Sequence, residues 1–188
     1  MALRNLIKTS LKCVGIGVLI LSLTGCPIRW GQNTYLVKRV SDGDTLSLAD
    51  GKGEKFTVRF ACVDAPEIAH SQAEKQSRKI IDKNQYNWGI KAQSRVQQLV
   101  KQGGDRVQLT ITDTDQYKRK IAEVRLPNGT FIQEILIREG LAMVYQPYLK
   151  NCPSAALIEK AEAEAKKSSK GIWNDPKFVP PWQYRRTK

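Results

Sequence analysis

Three short stretches carry the acids and guanidiniums that could do chemistry. They are Ser41-Asp42-Gly43-Asp44-Thr45, the run from Val58 through Arg59, Asp64, Ala65 and Pro66 to Glu67, and Asp113-Thr114-Asp115-Gln116-Tyr117-Lys118-Arg119, each flanked by apolar residues. The chain has a single histidine, His70. That excludes histidine-based nucleophilic triads and His-rich metal sites, which need more imidazole than is present. Carboxylates with backbone carbonyls and water suit a hard divalent cation, and an open, water-filled shell favours calcium over a closed structural cage.

The elements that must position these groups are mostly strands. Residues 57–63 are rich in β-branched and aromatic side chains, and Pro66 cannot donate to a ladder, so a strand should end there with Asp64 and Glu67 at its exit. Arg59 precedes Asp64 by an odd number of residues, which puts the two on opposite faces of a regular strand. A twist or bulge must re-aim one of them if they share a site. Strands at 35–40 and 45–48, the Asp50-Gly51-Lys52-Gly53 turn and the Arg59 strand make a three-stranded meander.

Residues 68–87 are polar and aperiodic, either a flexible lip beside the site or an insertion. Trp88, Ala92, Val96, Leu99 and Val100 recur at helical spacing up to Gly103-Gly104. Strands at 106–112 and 120–126 follow. A second helix carries Ile132, Ile135 and Leu136 and ends at Gly140; a third starts near Ser154, carries Leu157, Ile158, Ala161 and Ala165, and stops before Gly171. Trp88 and Trp173 read as core anchors rather than base-stacking platforms.

Three strands, a helix and two strands is the order of an OB-fold, so the expected class is α+β: a five-stranded OB-fold barrel with three α-helices. That barrel binds ligands on its second and third strands and at the loops joining strands one to two and four to five. The topology gathers Asp44, Arg59, Asp64, Glu67, Tyr117 and Arg119 at one mouth.

These motifs together resemble the staphylococcal nuclease (thermonuclease) family. The resemblance rests on Asp42-Gly43-Asp44-Thr45, Arg59, Val63-Asp64-Ala65-Pro66-Glu67, the Asp115, Tyr117 and Arg119 spacing, Glu139-Gly140-Leu141-Ala142 and Gly171-Ile172-Trp173, and so spans nearly everything after the N-terminal segment. It implies a calcium-dependent nuclease that hydrolyses 5′-phosphodiester bonds in DNA and RNA. The ligands implied are Asp44, Asp64 and the main-chain carbonyl of Ala65. Glu67 matches the residue that orients or deprotonates the attacking water, while Arg59 and Arg119 match the guanidiniums that clamp the phosphate and offset its growing charge. Tyr117 and Lys118 fall at substrate-contacting positions. Two departures stand out: Ala65 replaces the family's frequent Thr, and Lys118 replaces its usual Gly, which affects the backbone that aims Arg119.

At 188 residues and 41% hydrophobic composition the chain can bury one core. Of the formal charge of +13, three positive charges (Arg4, Lys8 and Lys12) lie within residues 1–25, leaving +10 for the remainder. An excess of that size fits a polyanionic partner, either nucleic acid or an anionic envelope surface; with the nuclease resemblance, the nucleic acid is expected to be DNA or RNA, single-stranded in preference. Residues 1–25 read as a targeting segment, with a basic start, an apolar run too short to span a bilayer and Leu23-Thr24-Gly25-Cys26, which resembles a bacterial lipobox. The expectation is lipidation at Cys26 and tethering of the protein to a membrane outside the cytoplasm, the alternative being an ordinary signal peptide. A short tether over 26–34, a nuclease domain over 35–175 and a basic tail over 176–188 complete the organisation. Cys62 and Cys152 are either buried thiols or a disulfide. No protein partner is implied.

A non-catalytic OB-fold module that only binds nucleic acid is the reading from another class. Such a module has no use for several acids where phosphates dock, since they repel the backbone unless a cation intervenes.

Overall fold

The computed structural model describes residues 34–188. The targeting segment, Cys26 and nearly all of the tether lie outside the described residues. Strands β1 (Thr34–Val40), β2 (Thr45–Ala49) and β3 (Lys55–Phe60) form the expected antiparallel meander. After β4 (Val63–Asp64) come α1 (Gln72–Lys75), α2 (Ile80–Gln102), β5 (Arg106–Thr114) and β6 (Lys120–Arg125). The chain continues through α3 (Ile132–Arg138), β7 (Met143–Val144), α4 (Gln146–Leu149), α5 (Ala155–Lys167), a 3₁₀ turn (Gly171–Asn174) and α6 (Pro181–Arg185).

The barrel closes in the order β1-β2-β3-β6-β5, with β3 and β6 parallel and β5 returning antiparallel to β1. Closure leaves the five strands without a free edge. Inward residues Leu46, Val58, Phe60, Val107, Ala122 and Val124 are buried, and the stripe Ala92, Val96, Leu99 and Val100 of α2 covers them. Ile132, Leu136 and Ile137 of α3 pack with Ile158 and Ala161 of α5 as a further layer. The periodicity of α5 is offset slightly from the sequence reading: Ile158, Ala161 and Ala165 are buried, whereas Leu157 is exposed.

Three helices account for most of the helical structure, as expected, but short ones accompany them. The run 68–87 is neither wholly a lip nor an insertion, since α2 already begins at Ile80 and buries Gln85 and Tyr86. Its polar inward residues hide the apolar period. Just before it, Ser71 and Glu74 form a reciprocal capping box on α1. Trp88 and Trp173 are half-buried anchors outside the core proper, with Lys91 over one ring and Lys166 over the other.

The C-terminal segment is folded rather than a tail. Tyr184 on α6 is fully buried, and its hydroxyl lies 2.8 Å from Asp82 Oδ1 and 3.0 Å from the Tyr86 hydroxyl. Trp88 Nε1 and Asn84 Nδ2 both donate to Asp175 Oδ2, at 2.8 and 2.7 Å. These contacts fasten the segment along the first half of α2. Cys62 and Cys152 form a disulfide that closes 90 residues of chain, a loop whose constraint stabilises the fold by roughly 4 kcal/mol.

Candidate active site

The strand carrying Arg59 does not run straight to Asp64. It ends at Phe60, turns at Ala61-Cys62 with Cys62 at φ 62°, and resumes as β4. The turn supplies the re-aiming that strict alternation required. Arg59 Nη1 donates to Asp44 Oδ1 and Nη2 to Asp64 Oδ1, both at 2.7 Å. Asp44 is positioned by β2, whose Thr45 pairs with Arg59 across the sheet, and its second oxygen accepts the Ala65 N–H at 2.9 Å. Asp44 and Asp64 are buried, at 3% and 0% exposure, so the first two of the three charged stretches are joined by buried charge.

Small residues let these loops and α2 meet. A Cβ on Gly43 would lie 2.7 Å from the Cβ atoms of both Ala65 and Ala92, and one on Gly89 would lie 2.0 Å from the Glu67 carbonyl oxygen. Ala65 therefore sits where space is short. The buried Gln85 amide, with its nitrogen toward the Val179 carbonyl at 3.1 Å and its oxygen toward the Glu67 N–H at 3.3 Å, ties the Glu67 loop to the C-terminal segment.

Arg119 and Tyr117 occupy the β5–β6 turn. Asp115 holds that turn together, accepting from Tyr117 N at 3.0 Å, Arg119 N at 2.9 Å and Arg119 Nε at 2.8 Å. Lys118 stands at φ 63°, the left-handed conformation that glycine adopts without steric cost. Arg119 is not bonded to Asp44, Asp64 or Glu67. Instead it lines a cavity of about 390 Å³ together with Arg59, Tyr117, Tyr145, Tyr148 and Asn151. Lys118 does not line this cavity. Arg59 thus faces the acids on one side and the cavity on the other.

Several of these residues escaped the sequence reading. Tyr145 is brought in because β7 pairs with β4 and its N–H donates to the Cys62 carbonyl at 2.9 Å. Two tyrosines three residues apart were the available signal. Arg185 of α6 donates to Asp64 Oδ2 and Glu67 Oε1, both at 2.6 Å. Nothing in Tyr184-Arg185-Arg186 distinguishes it from an ordinary basic terminus.

The electrostatics follow from four acids, Asp42, Asp44, Asp64 and Glu67, gathered around two guanidiniums. Burial, with Asp44 adjacent, pushes the Asp42 carboxyl up to about 7. Burial also raises Asp64 above the usual carboxylate range against the hydrogen bond from Arg185. Asp44, and after it Asp64, hold Arg59 charged more firmly than an ordinary arginine, against burial. At the other end burial works against Asp115, yet the hydrogen bonds from Arg119 bring it below its ordinary value.

No group of three or more His, Cys, Asp or Glu side chains among the described residues stands together in metal-ligating geometry. The donors that do converge are nonetheless all oxygen, the donor type that a hard cation takes.

The sequence model of the family described as "Staphylococcal nuclease homologue" matches residues 57–175. The chain belongs to the staphylococcal nuclease family. It is 30% identical over 165 residues to a protein of Shigella flexneri named micrococcal nuclease, covering 84% of this chain and 83% of that one. An Escherichia coli protein named uncharacterized endonuclease is 28% identical over 170 residues, covering 90% of this chain and 96% of the relative. A Bacillus subtilis endonuclease is 30% identical over 164 residues, 85% of this chain but 13% of that much longer protein. The closed mixed barrel is the OB-type barrel of this nuclease family, and the coarse assignment is a nuclease, a hydrolase acting on nucleic acid.

Proposed function

We propose that the protein is a calcium-dependent nuclease that hydrolyses phosphodiester bonds in DNA and RNA, taking single strands in preference. The observation that carries the reading is Arg59, bonded to the buried Asp44 and Asp64 and facing a cavity that holds a second guanidinium, Arg119. Asp44 and Asp64, with the Ala65 carbonyl, would hold the cation. Bound calcium supplies positive charge against the negative charge that develops on the phosphate oxygens during hydrolysis.

The protein's own groups do the rest. Arg59 and Arg119 hold the phosphate from two sides of the cavity, with donors that strengthen as charge builds. Glu67 accepts a proton from the attacking water. Its main chain is fixed at the exit of β4 by Pro66 and by the close approach of Gly89. Tyr117 and Tyr148, 70% and 56% exposed, offer open aromatic faces to unstacked bases, which favours a single strand. Acids buried where phosphates dock argue against a module that only binds.

Loss of activity on single-stranded DNA in excess chelator, restored by calcium, is the expected result. Asp44→Asn and Asp64→Asn should each raise the calcium concentration needed for half-maximal activity. Full wild-type activity in chelator would overturn the metal assignment.

The site of action is a second part of the proposal. Leu23-Thr24-Gly25-Cys26, outside the described residues, supports lipidation at Cys26 and an extracytoplasmic, membrane-tethered enzyme. Cys26→Ser should move the protein from the membrane fraction to the soluble fraction.

A further inference from the structure

Asp64 lies at the bottom of the site, yet one of the two guanidiniums upon it comes from beyond the matched residues 57–175. Arg185 Nη2 donates to Asp64 Oδ2 at 2.6 Å, and Nη1 donates to Asp64 Oδ1 at 3.2 Å and to Glu67 Oε1 at 2.6 Å. A single side chain therefore spans the acid assigned to the cation and the acid assigned to the water. Bidentate, charge-assisted contacts of this kind are the strong class of protein hydrogen bond.

We propose that Arg185 is an internal counter-cation that competes with the divalent cation for Asp64 and so sets the calcium concentration at which the site loads. The inference rests on the calcium reading above. Both oxygens of Asp64 are engaged by Arg185, and Oδ1 is shared with Arg59. A cation on this carboxylate needs the same lone pairs, and two positive groups at contact distance repel. Arg185 must give way, and the same movement releases Glu67 Oε1 to face water.

Arg185 can leave without its helix. Tyr184 fastens α6 through Asp82 and Tyr86, Trp182 packs against Tyr145 with ring centroids 5.8 Å apart, and Lys188 donates to the Tyr86 hydroxyl at 2.9 Å. The Arg185 side chain is 42% exposed, against 1% for Asp64, so the arginine can swing toward solvent while the acid stays in place. Arg59 differs in being held on β3 between Asp44 and Asp64.

Calcium titration of the full-length protein by calorimetry, with no nucleic acid present, tests this. Arg185→Gln should bind calcium at least about fivefold more tightly than wild type, the lower end of ordinary coupling between competing sites. Arg185→Lys, which keeps the charge but loses the fork, should fall between the two and serves if the glutamine variant folds poorly. An unchanged or weaker calcium affinity in folded Arg185 variants, with only the unfolding temperature lowered, would make Arg185 a structural clamp and overturn the proposal. Asp64→Asn separates the competition from the calcium assignment beneath it. If it abolishes the calcium signal while the Arg185 variants match wild type, the competition alone is wrong; if it leaves the signal unchanged, the calcium assignment fails and the competition with it.

Discussion

Asp64 and Arg119 are joined through Arg59 and its cavity, but they are placed by different means. Asp64 is held by Arg59 and by Arg185, 121 positions away, at the end of β4, and the residues that follow it, Pro66 and Glu67, pack against Gly89 of α2. Arg119 is held by Asp115, 4 positions away, in a turn open to solvent. The acid end is a property of the whole fold, and the arginine end is written locally. Damage to the first should therefore appear in stability and activity together, and damage to the second in activity alone.

Gly89→Ala would break the acid end with the largest effect. Its new Cβ meets backbone, the Glu67 carbonyl, which cannot swing aside, so the variant should lose about 1–3 kcal/mol of stability, as over-packed cores do. Turnover should fall with it. Chemical denaturation and activity assayed on one preparation check both, and an unshifted midpoint would mean that α2 does not brace the Glu67 loop.

Asp115→Ala attacks the arginine end. It removes the acceptor of three hydrogen bonds that shape the turn and aim Arg119, so activity should fall by up to about a hundredfold, the scale on which misplaced groups lose rate. The unfolding midpoint should barely move, since the turn lies outside the core. A large loss of stability in this variant would erase the distinction between the two ends.

The smallest effect is a gain. Lys118→Gly relieves a left-handed residue and should raise stability by roughly 0.5–1 kcal/mol, the steric relief being offset in part by the entropy of glycine. Activity should stay near wild type because Lys118 does not line the cavity.

The same contrast governs what could be read from the sequence. The barrel was legible because β-branched runs, turn glycines and one long amphipathic stripe each follow a local rule, and those rules agree on one topology. The acids and Arg59 were legible by family pattern. Even the irregularity between Arg59 and Asp64 followed from strand parity, although its form, a turn with Cys62 in the left-handed region, did not. Arg185 was not legible, because its role depends on Tyr184 docking against Asp82 and Tyr86 about a hundred positions earlier. The Cys62–Cys152 bridge was one of two readings for the same reason: only the fold brings the β3–β4 turn and the α4–α5 connection together. The first half of α2 was obscured by Gln85, a polar residue buried because it has partners in two other segments.

In the proposed mechanism one carboxylate, Glu67, and one distant guanidinium, Arg119, act on a single phosphodiester. Turnover of single-stranded DNA by Glu67→Gln and by Arg119→Ala, in saturating calcium and with the fold verified by circular dichroism, tests it most directly. Each variant should be slower by at least about two orders of magnitude, the loss expected when a group that stabilises the transition state is removed. A folded variant of either residue that turns over at the wild-type rate would remove that residue from the mechanism.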